Sequence, residues 1–351
     1  MVVGCRVRCM SYNKRMKQRA GDTRAMAFHC IVRVTRQMTL LDAGARDALA
    51  GAIRRVADFS GVEVLSYCLL SNHFHVLVRV DPSARDCAND ELVRRFKALY
   101  GDGRAQCIGM DARDVERLFA DPDRAEAAER VRAKLLARMG DVSAFMQTLK
   151  HRYTKWFNRA RGGGGSIWAE RFRSVLVQDS AAVLRTVAAY IDLNAVRAGL
   201  VEDPKDYRWC GYAAALAGDV PQRAAYARCT GHGAETSEAM AAYRLYLMGK
   251  GEVAKRDGSG ARVPREVAEE ARKRGGHLPA HDLLRLKLRF MTEGIVVGER
   301  PFVEGMLSDR AMARYRRKRA PKAVPAPAGA DSLVCARQWS HRPEVGPART
   351  A

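Results

Sequence analysis

The stretch "SNHFHVLVRV", residues 71–80, limits the fold more than any other part of the chain. It is apolar, rich in β-branched residues and far too short to cross a membrane, so it reads as a buried strand. A strand turns every second side chain to the same face. His73 and His75 therefore leave together on one face, while Phe74, Val76 and Val78 enter a core on the other. Two imidazoles side by side on a rigid strand can be two legs of a divalent-metal site. An isolated His-x-His is more often a structural pair at a strand edge. A further ligand and a reacting group, supplied from another element, are needed to favour the metal.

The segment "SAAVLRTVAAYIDLNAVRAGLV" supplies candidates for both. Its spacing predicts one helix over 180–199, stopping at Gly199. Tyr190 and Asn194 are four apart and so share a helical face. An amide oxygen can complete a metal site, and a tyrosine one turn away would sit beside whatever the metal polarises. Taken singly, Tyr190 reads as an ordinary core tyrosine and Asn194 as a local hydrogen-bonding residue. Tyr153, in "KHRYTKWFNR", is the rival tyrosine, but one turn on it offers Phe157 and no oxygen ligand, so it is expected to pack. His29, in "AFHCIV", can approach the same sheet face and is expected to be a satisfied strand histidine.

Charge narrows the partner. Lysine and arginine number 61 against 39 acids, a formal net charge of +22 at pH 7, which suits a polyanion such as nucleic acid. No long uncharged apolar stretch is present, so no membrane association is expected. The first residues lack the apolar core of a secretory signal. Nine cysteines without a CxxC pair, Cys5 and Cys9 included, suit a reduced, cytoplasmic setting. Lys150, Arg152, Lys155 and Arg159 precede the glycine loop "RGGGGS", and Trp168, Arg171, Phe172 and Arg173 follow it. Aromatics among arginines can stack bases and hold phosphates, although Trp168 and Phe172 suit a core equally well.

The order strand, helix, strand, strand, helices, strand, helix predicts an α+β fold, an antiparallel sheet with helices packed on one face. Residues 1–24 read as a basic N-terminal arm, 25–215 as the main domain and 216–263 as a helical connector and linker. A basic, mostly helical extension over 264–320 is expected to bind DNA through runs such as "RYRRKR". Residues 321–351 have the composition of a disordered tail.

Several motifs together resemble one family. "SNHFHVLV" resembles the HUH motif (His, bulky hydrophobic, His) of single-tyrosine transposases, and "YIDLNAVRAGLV" resembles the helix that carries their nucleophile. "LKHRYTKWFNRARGGGGSIWAERFRSVLVQD" and "DPKDYRWCGYAA" resemble, in order and spacing, the REP-associated tyrosine transposase branch. The resemblance covers roughly residues 25–215, and "HDLLRLKLRFMTEGIVVGERPFVEGM" is similar to an extension of longer members. Ala195 stands where many relatives have proline, and the arm before Ala25 does not resemble the usual lead-in.

The resemblance implies a ferredoxin-like HUH catalytic domain that nicks and transfers single-stranded DNA through a covalent 5′-phosphotyrosine. Carried over by position, Tyr190 is the catalytic nucleophile, and His73, His75 and Asn194 hold Mg²⁺ or Mn²⁺. Lys155, Trp168, Arg171, Phe172, Arg173 and Arg197 form the expected DNA-binding set. The expected partner is single-stranded or hairpin DNA, bound by a monomer or a homodimer. The alternative is a domesticated DNA-binding protein that no longer cuts. RNA binding ranks last, because the RRM-type aromatic signature is absent and the histidine pair would have no role.

Overall fold

A computed structural model of the protein describes residues 24–35, 40–233, 236–248, 291–292, 294–308, 322–323 and 333–337. The arm up to residue 23, Cys5 and Cys9, and most of the basic runs between 249 and 321 lie outside the described residues. The order begins β1 (Met26–Arg33), α1 (Ala43–Ser60), β2 (Val62–Leu69), β3 (His73–Val80) and α2 (Asn89–Tyr100). It continues with α3 (Ala112–Ala120), α4 (Ala125–Leu136), α5 (Val142–Arg161), β4 (Arg173–Val177), α6 (Ala181–Asp192) and α7 (Asn194–Arg197). Then come α8 (Gly211–Leu216), α9 (Val220–Thr230), α10 (Thr236–Met248), β5 (Gly294–Glu299), α11 (Arg300–Ser308), β6 (Lys322–Ala323) and β7 (Leu333–Arg337).

The strands form one sheet in the order β2-β3-β1-β4-β5-β7-β6. Every neighbouring pair is antiparallel except β4 and β5, which run parallel. The class is therefore α+β on a mostly antiparallel sheet. β3 lies between β2 and β1 and is buried on both faces, which is why it reads as an almost continuous apolar run. Phe28, Cys30 and Val32 of β1 and Phe74, Val76 and Val78 of β3 share a core with α1, α2 and α5. Ala27, Leu77, Val175 and Val177 face a second core built from α6, α8, α9 and α10.

Helices thus cover both faces, not the single face expected from element order. The second layer is long in sequence and small in side chain, with runs such as Ala213–Ala214–Ala215, so its apolar stripe is weak. The described C-terminal residues also add strands. "GIVVGE" pairs with β4 and "LVCAR" pairs with β5, so parts of the expected helical extension and of the tail join the sheet. Both are short β-branched runs that cover what would otherwise be the exposed edge of β4.

The expected single helix over 180–199 is divided at Leu193. The Asn194 side-chain amide donates to the carbonyls of Tyr190 and Ile191 at 3.2 and 3.1 Å. The Arg197 guanidinium donates to the Tyr190 carbonyl as well, at 2.6 Å. Side chains have taken acceptors that the next turn of backbone would use, so the helix breaks and restarts.

Candidate active site

The histidines are placed by strand pairing. In the β1–β3 register, His29 lies opposite Leu77 and Ile31 opposite His75. His29 and His75 are therefore diagonal neighbours on one face, a separation that two imidazoles can span. His29 Nε2 lies 2.9 Å from His75 Nδ1, and His29 Nδ1 lies 2.8 Å from the Met291 carbonyl oxygen. The two rings stack with centroids 5.1 Å apart. His73, next along the face, sits with its ring centroid 5.1 Å from that of His75 and its Nδ1 2.6 Å from Asn72 Oδ1.

Burial sets the protonation of this group. His29 and His75 are 1 % and 3 % exposed. Loss of water around the His29 ring pushes its pKa down to about 4, against a smaller upward pull from the Met291 carbonyl. Burial pushes His75 well below the usual histidine range, and the neighbouring His29, His73 and Arg197 push it the same way. Both are neutral imidazoles at pH 7.

Helix α6 lies across this face and brings Tyr190 to it. The phenol ring meets His29 and His75 edge-on, with centroids 6.2 and 6.4 Å away. The Arg197 guanidinium carbon sits 4.0 Å from the phenol centroid. Burial lowers the Arg197 pKa from the usual guanidinium range. Asn194, one turn beyond Tyr190, has committed its NH₂ to backbone carbonyls, so Oδ1 is the atom it can offer a ligand.

These donors suit a divalent cation in a limited way. Asn72 Oδ1 accepts, so His73 carries its proton on Nδ1 and its lone pair on Nε2. His29 has both ring nitrogens committed. No group of three or more His, Cys, Asp or Glu able to hold a metal is present among the described residues. What remains is two imidazoles and an amide oxygen, with the other positions left to water or phosphate oxygens.

The expected DNA-binding residues separate into four groups. Lys155 and Arg171 are exposed. Arg173 is half-buried and paired with Glu170 at 2.8 Å. Trp168 and Phe172 are core residues, not stacking platforms: Trp168 packs against Phe74 and Tyr153, with centroids 5.9 and 5.6 Å away. Its indole N–H donates to Thr154 Oγ1 at 2.8 Å. Arg197 is likewise not set out as a DNA contact, because its guanidinium turns inward to the ring and carbonyl of Tyr190. Tyr153 is buried and donates to the Ala45 carbonyl at 2.9 Å, so it packs as expected.

Arg152, Lys155 and Arg159, read in the sequence as phosphate-holding residues, line a cationic cleft on the α1/α2/α5 face, away from the histidines; Arg55, Arg104, Arg138 and His151, which join them there, were missed. Two adjoining cavities of about 450 and 460 Å³ share Arg152 and Lys155. The first is also lined by Arg104, Arg138 and His151, and the second by Arg55, Arg159 and Trp156. No carboxylate lines either cavity. The Arg152 pKa is lowered by burial first and then by Arg55 and Arg138, with Tyr100 acting the other way. Arg104 has a counterion in Asp114 at 3.4 Å, but a cluster of cations lined by no carboxylate is a surface suited to phosphates.

The site thus comprises a neutral histidine pair on a central strand of a mostly antiparallel α+β sheet and a helix-borne tyrosine held against it. Residues 22–101, which carry β1, α1, β2, β3 and α2, match the model of the family described as IS200-like transposases. That segment, less than a quarter of the chain, is what is similar to the IS200-like transposase family. A solved REP-associated tyrosine transposase bound to a REP hairpin is similar at 17% identity and a TM-score of 0.35, over 60% of this chain and 87% of that one. No curated protein matches the chain. Among the described residues no helix is long and apolar enough to cross a membrane.

Proposed function

We propose that the protein nicks and rejoins single-stranded DNA through a covalent bond between Tyr190 and a 5′ phosphate. The observation that carries this reading is Tyr190 held edge-on against His75, with His73 beside it on the same face of β3. His73 and His75, through imidazole nitrogens, and Asn194, through Oδ1, would hold Mg²⁺ or Mn²⁺. When bound, such an ion withdraws charge from the scissile phosphate and aligns it.

The chain's own residues do the rest. The Tyr190 phenol oxygen bonds to phosphorus as the bond to the 3′ oxygen breaks. The phenol loses a proton and the departing oxygen gains one, so the step is balanced. The phosphotyrosine conserves the phosphodiester energy, and attack by another 3′ hydroxyl reverses the step without a nucleotide cofactor. Arg197 sits over the ring as a fixed cation while the phenol becomes an anionic nucleophile. In this state Tyr190 is 2 % exposed, so the phosphate can reach it only after the groups packed over it move.

Hairpin DNA is the proposed substrate form. Its support is the motif order over residues 25–215, which resembles the REP-associated branch. The acid-free cleft around Arg152 and Lys155 is proposed to hold its phosphates. Replacing Lys155 and Arg159 by alanine, both exposed, is expected to weaken binding of every hairpin sequence alike. The slope of log affinity against log salt should fall by about 2, one for each lost phosphate contact. Fluorescence anisotropy across a salt series measures it, and an unchanged slope would remove the cleft from the interface.

The test of the reaction is incubation of the full-length chain with labelled hairpin DNA from its own gene's flanks, with Mn²⁺ or EDTA. A metal-dependent adduct that survives SDS is expected. A second reading, a DNA-binding protein that does not cut, draws on the burial of Tyr190. Tight binding without an adduct on any flanking hairpin would favour it.

A further inference from the structure

We propose that His29 is a positioning residue that holds His75 in the tautomer with its proton on Nδ1 and its lone pair on Nε2. The inference rests on reading His75 as a ligand of the reaction site. A relay of hydrogen bonds fixes the protons in turn. A backbone carbonyl can only accept, so the 2.8 Å contact with Met291 places the His29 proton on Nδ1. A neutral imidazole has a single N–H, so His29 Nε2 is an acceptor. The 2.9 Å contact between His29 Nε2 and His75 Nδ1 then requires the His75 proton to be on Nδ1. The basic nitrogen of His75 is Nε2.

The neighbouring histidine reaches the same state by different means. His73 Nδ1 contacts Asn72 Oδ1 at 2.6 Å, which also puts its lone pair on Nε2. Two unrelated partners, an adjacent amide and a histidine on the next strand, thus impose one tautomer on both members of the pair. This matters because neutral histidine in water favours the proton on Nε2, the form that cannot ligate through that nitrogen. The carbonyl that starts the relay belongs to Met291, 262 residues along the chain from His29. A segment close before β5 therefore influences the chemistry of the central strand. His29 has both nitrogens spent on the relay and is not itself a ligand.

The experiment reads the tautomer directly, by ¹⁵N NMR of the imidazoles in metal-free, full-length protein at neutral pH. Wild type, His29→Phe and His29→Gln are compared, with Mn²⁺ affinity measured by calorimetry in parallel. Wild type is expected to hold its His75 proton on Nδ1. His29→Phe keeps a ring but lacks the acceptor, so His75 should move toward the Nε2–H form and Mn²⁺ affinity should fall about 10- to 100-fold. His29→Gln brings an amide oxygen to the same reach and should keep both near wild type.

A wild-type His75 with its proton on Nε2 overturns the proposal without any variant. So does a His29→Phe protein whose His75 tautomer is unchanged. The adduct assay separates this proposal from the reaction it serves. A wild type that forms no adduct but shows the expected tautomers ends the nicking reading and leaves the relay standing. An adduct formed while His75 carries its proton on Nε2 does the reverse.

Discussion

Tyr190→Phe is expected to abolish the DNA adduct, lowering strand cleavage by about a thousandfold or more, while the protein stays folded. Loss of a nucleophile removes the covalent route altogether, and effects of that size or larger follow when one member of a catalytic unit is deleted. The ring itself survives the change, so its edge-on contacts with His29 and His75 and its stacking against Arg197 are kept. Loss of one hydroxyl should cost about 1 kcal/mol. Tyr153→Phe is the matched control. Its hydroxyl donates to the Ala45 carbonyl, and burial together with Asp42 raises its pKa far from neutrality. That variant should lose a comparable amount of stability and none of the adduct. An adduct that persists in Tyr190→Phe would move the chemistry to another tyrosine.

Asp192→Ala is expected to be the most damaging single change to stability away from the histidines. Asp192 is 0 % exposed, two residues from Tyr190 on α6. Its carboxyl accepts from Ser66 on β2 at 3.0 Å, from Tyr226 on α9 at 2.8 Å and from Tyr243 on α10 at 2.5 Å. Alanine leaves three buried hydroxyls without their acceptor, and breaking such a network costs about 3–5 kcal/mol. The register shift in β2 between Val64 and Ser66 lies just where Ser66 turns toward this carboxyl.

Asp192 also gives a pH signature. Burial pushes its pKa up from 3.8 to about 7, outweighing the downward pull of the three hydroxyls. The folded state therefore holds a proton that the unfolded chain has released above about pH 4. The stability this contributes is fully present below about pH 4 and is lost as pH rises through about 7. Asp192→Asn has nothing to titrate there. Its deficit relative to wild type in urea unfolding should shrink by up to roughly 4 kcal/mol between about pH 4 and pH 8. A deficit that stays constant across that range would mean that Asp192 is ionised in the fold.

Much of the fold was legible because its periodicity is strong. β3 was marked by a short β-branched run with histidines two apart, and the end of α5 by the glycine loop that follows it. Tyr190 and Asn194 were placed on one helical face, but the break between them was not visible, because side chains compete there for backbone acceptors. Trp168 and Phe172 were ambiguous in sequence, since an aromatic beside arginines serves a core as readily as a base. Burial, with Trp168 packed on Phe74 and Tyr153, resolved them as core. Arg197 looked like a surface cation because nothing local reveals that it turns in against a phenol.

By itself the sequence determined the features that depend on near neighbours along the chain. The histidine pair shares a strand face, the tyrosine lies on an apolar helix, the charge balance suits a polyanion, and the motif order resembles one family. Only the tertiary structure decided the features that join residues far apart in sequence. Pairing of β1 with β3 brings His29 to His75, Met291 closes on His29, and β5 and β7 extend the sheet. Asp192 gathers hydroxyls from three elements, and the cleft collects arginines from α1, α5 and the segments between. The physical reason is that side-chain periodicity fixes which face a residue occupies within its own element. What that face meets is set by strand register and helix packing, which stabilise the chain only once distant segments have come together.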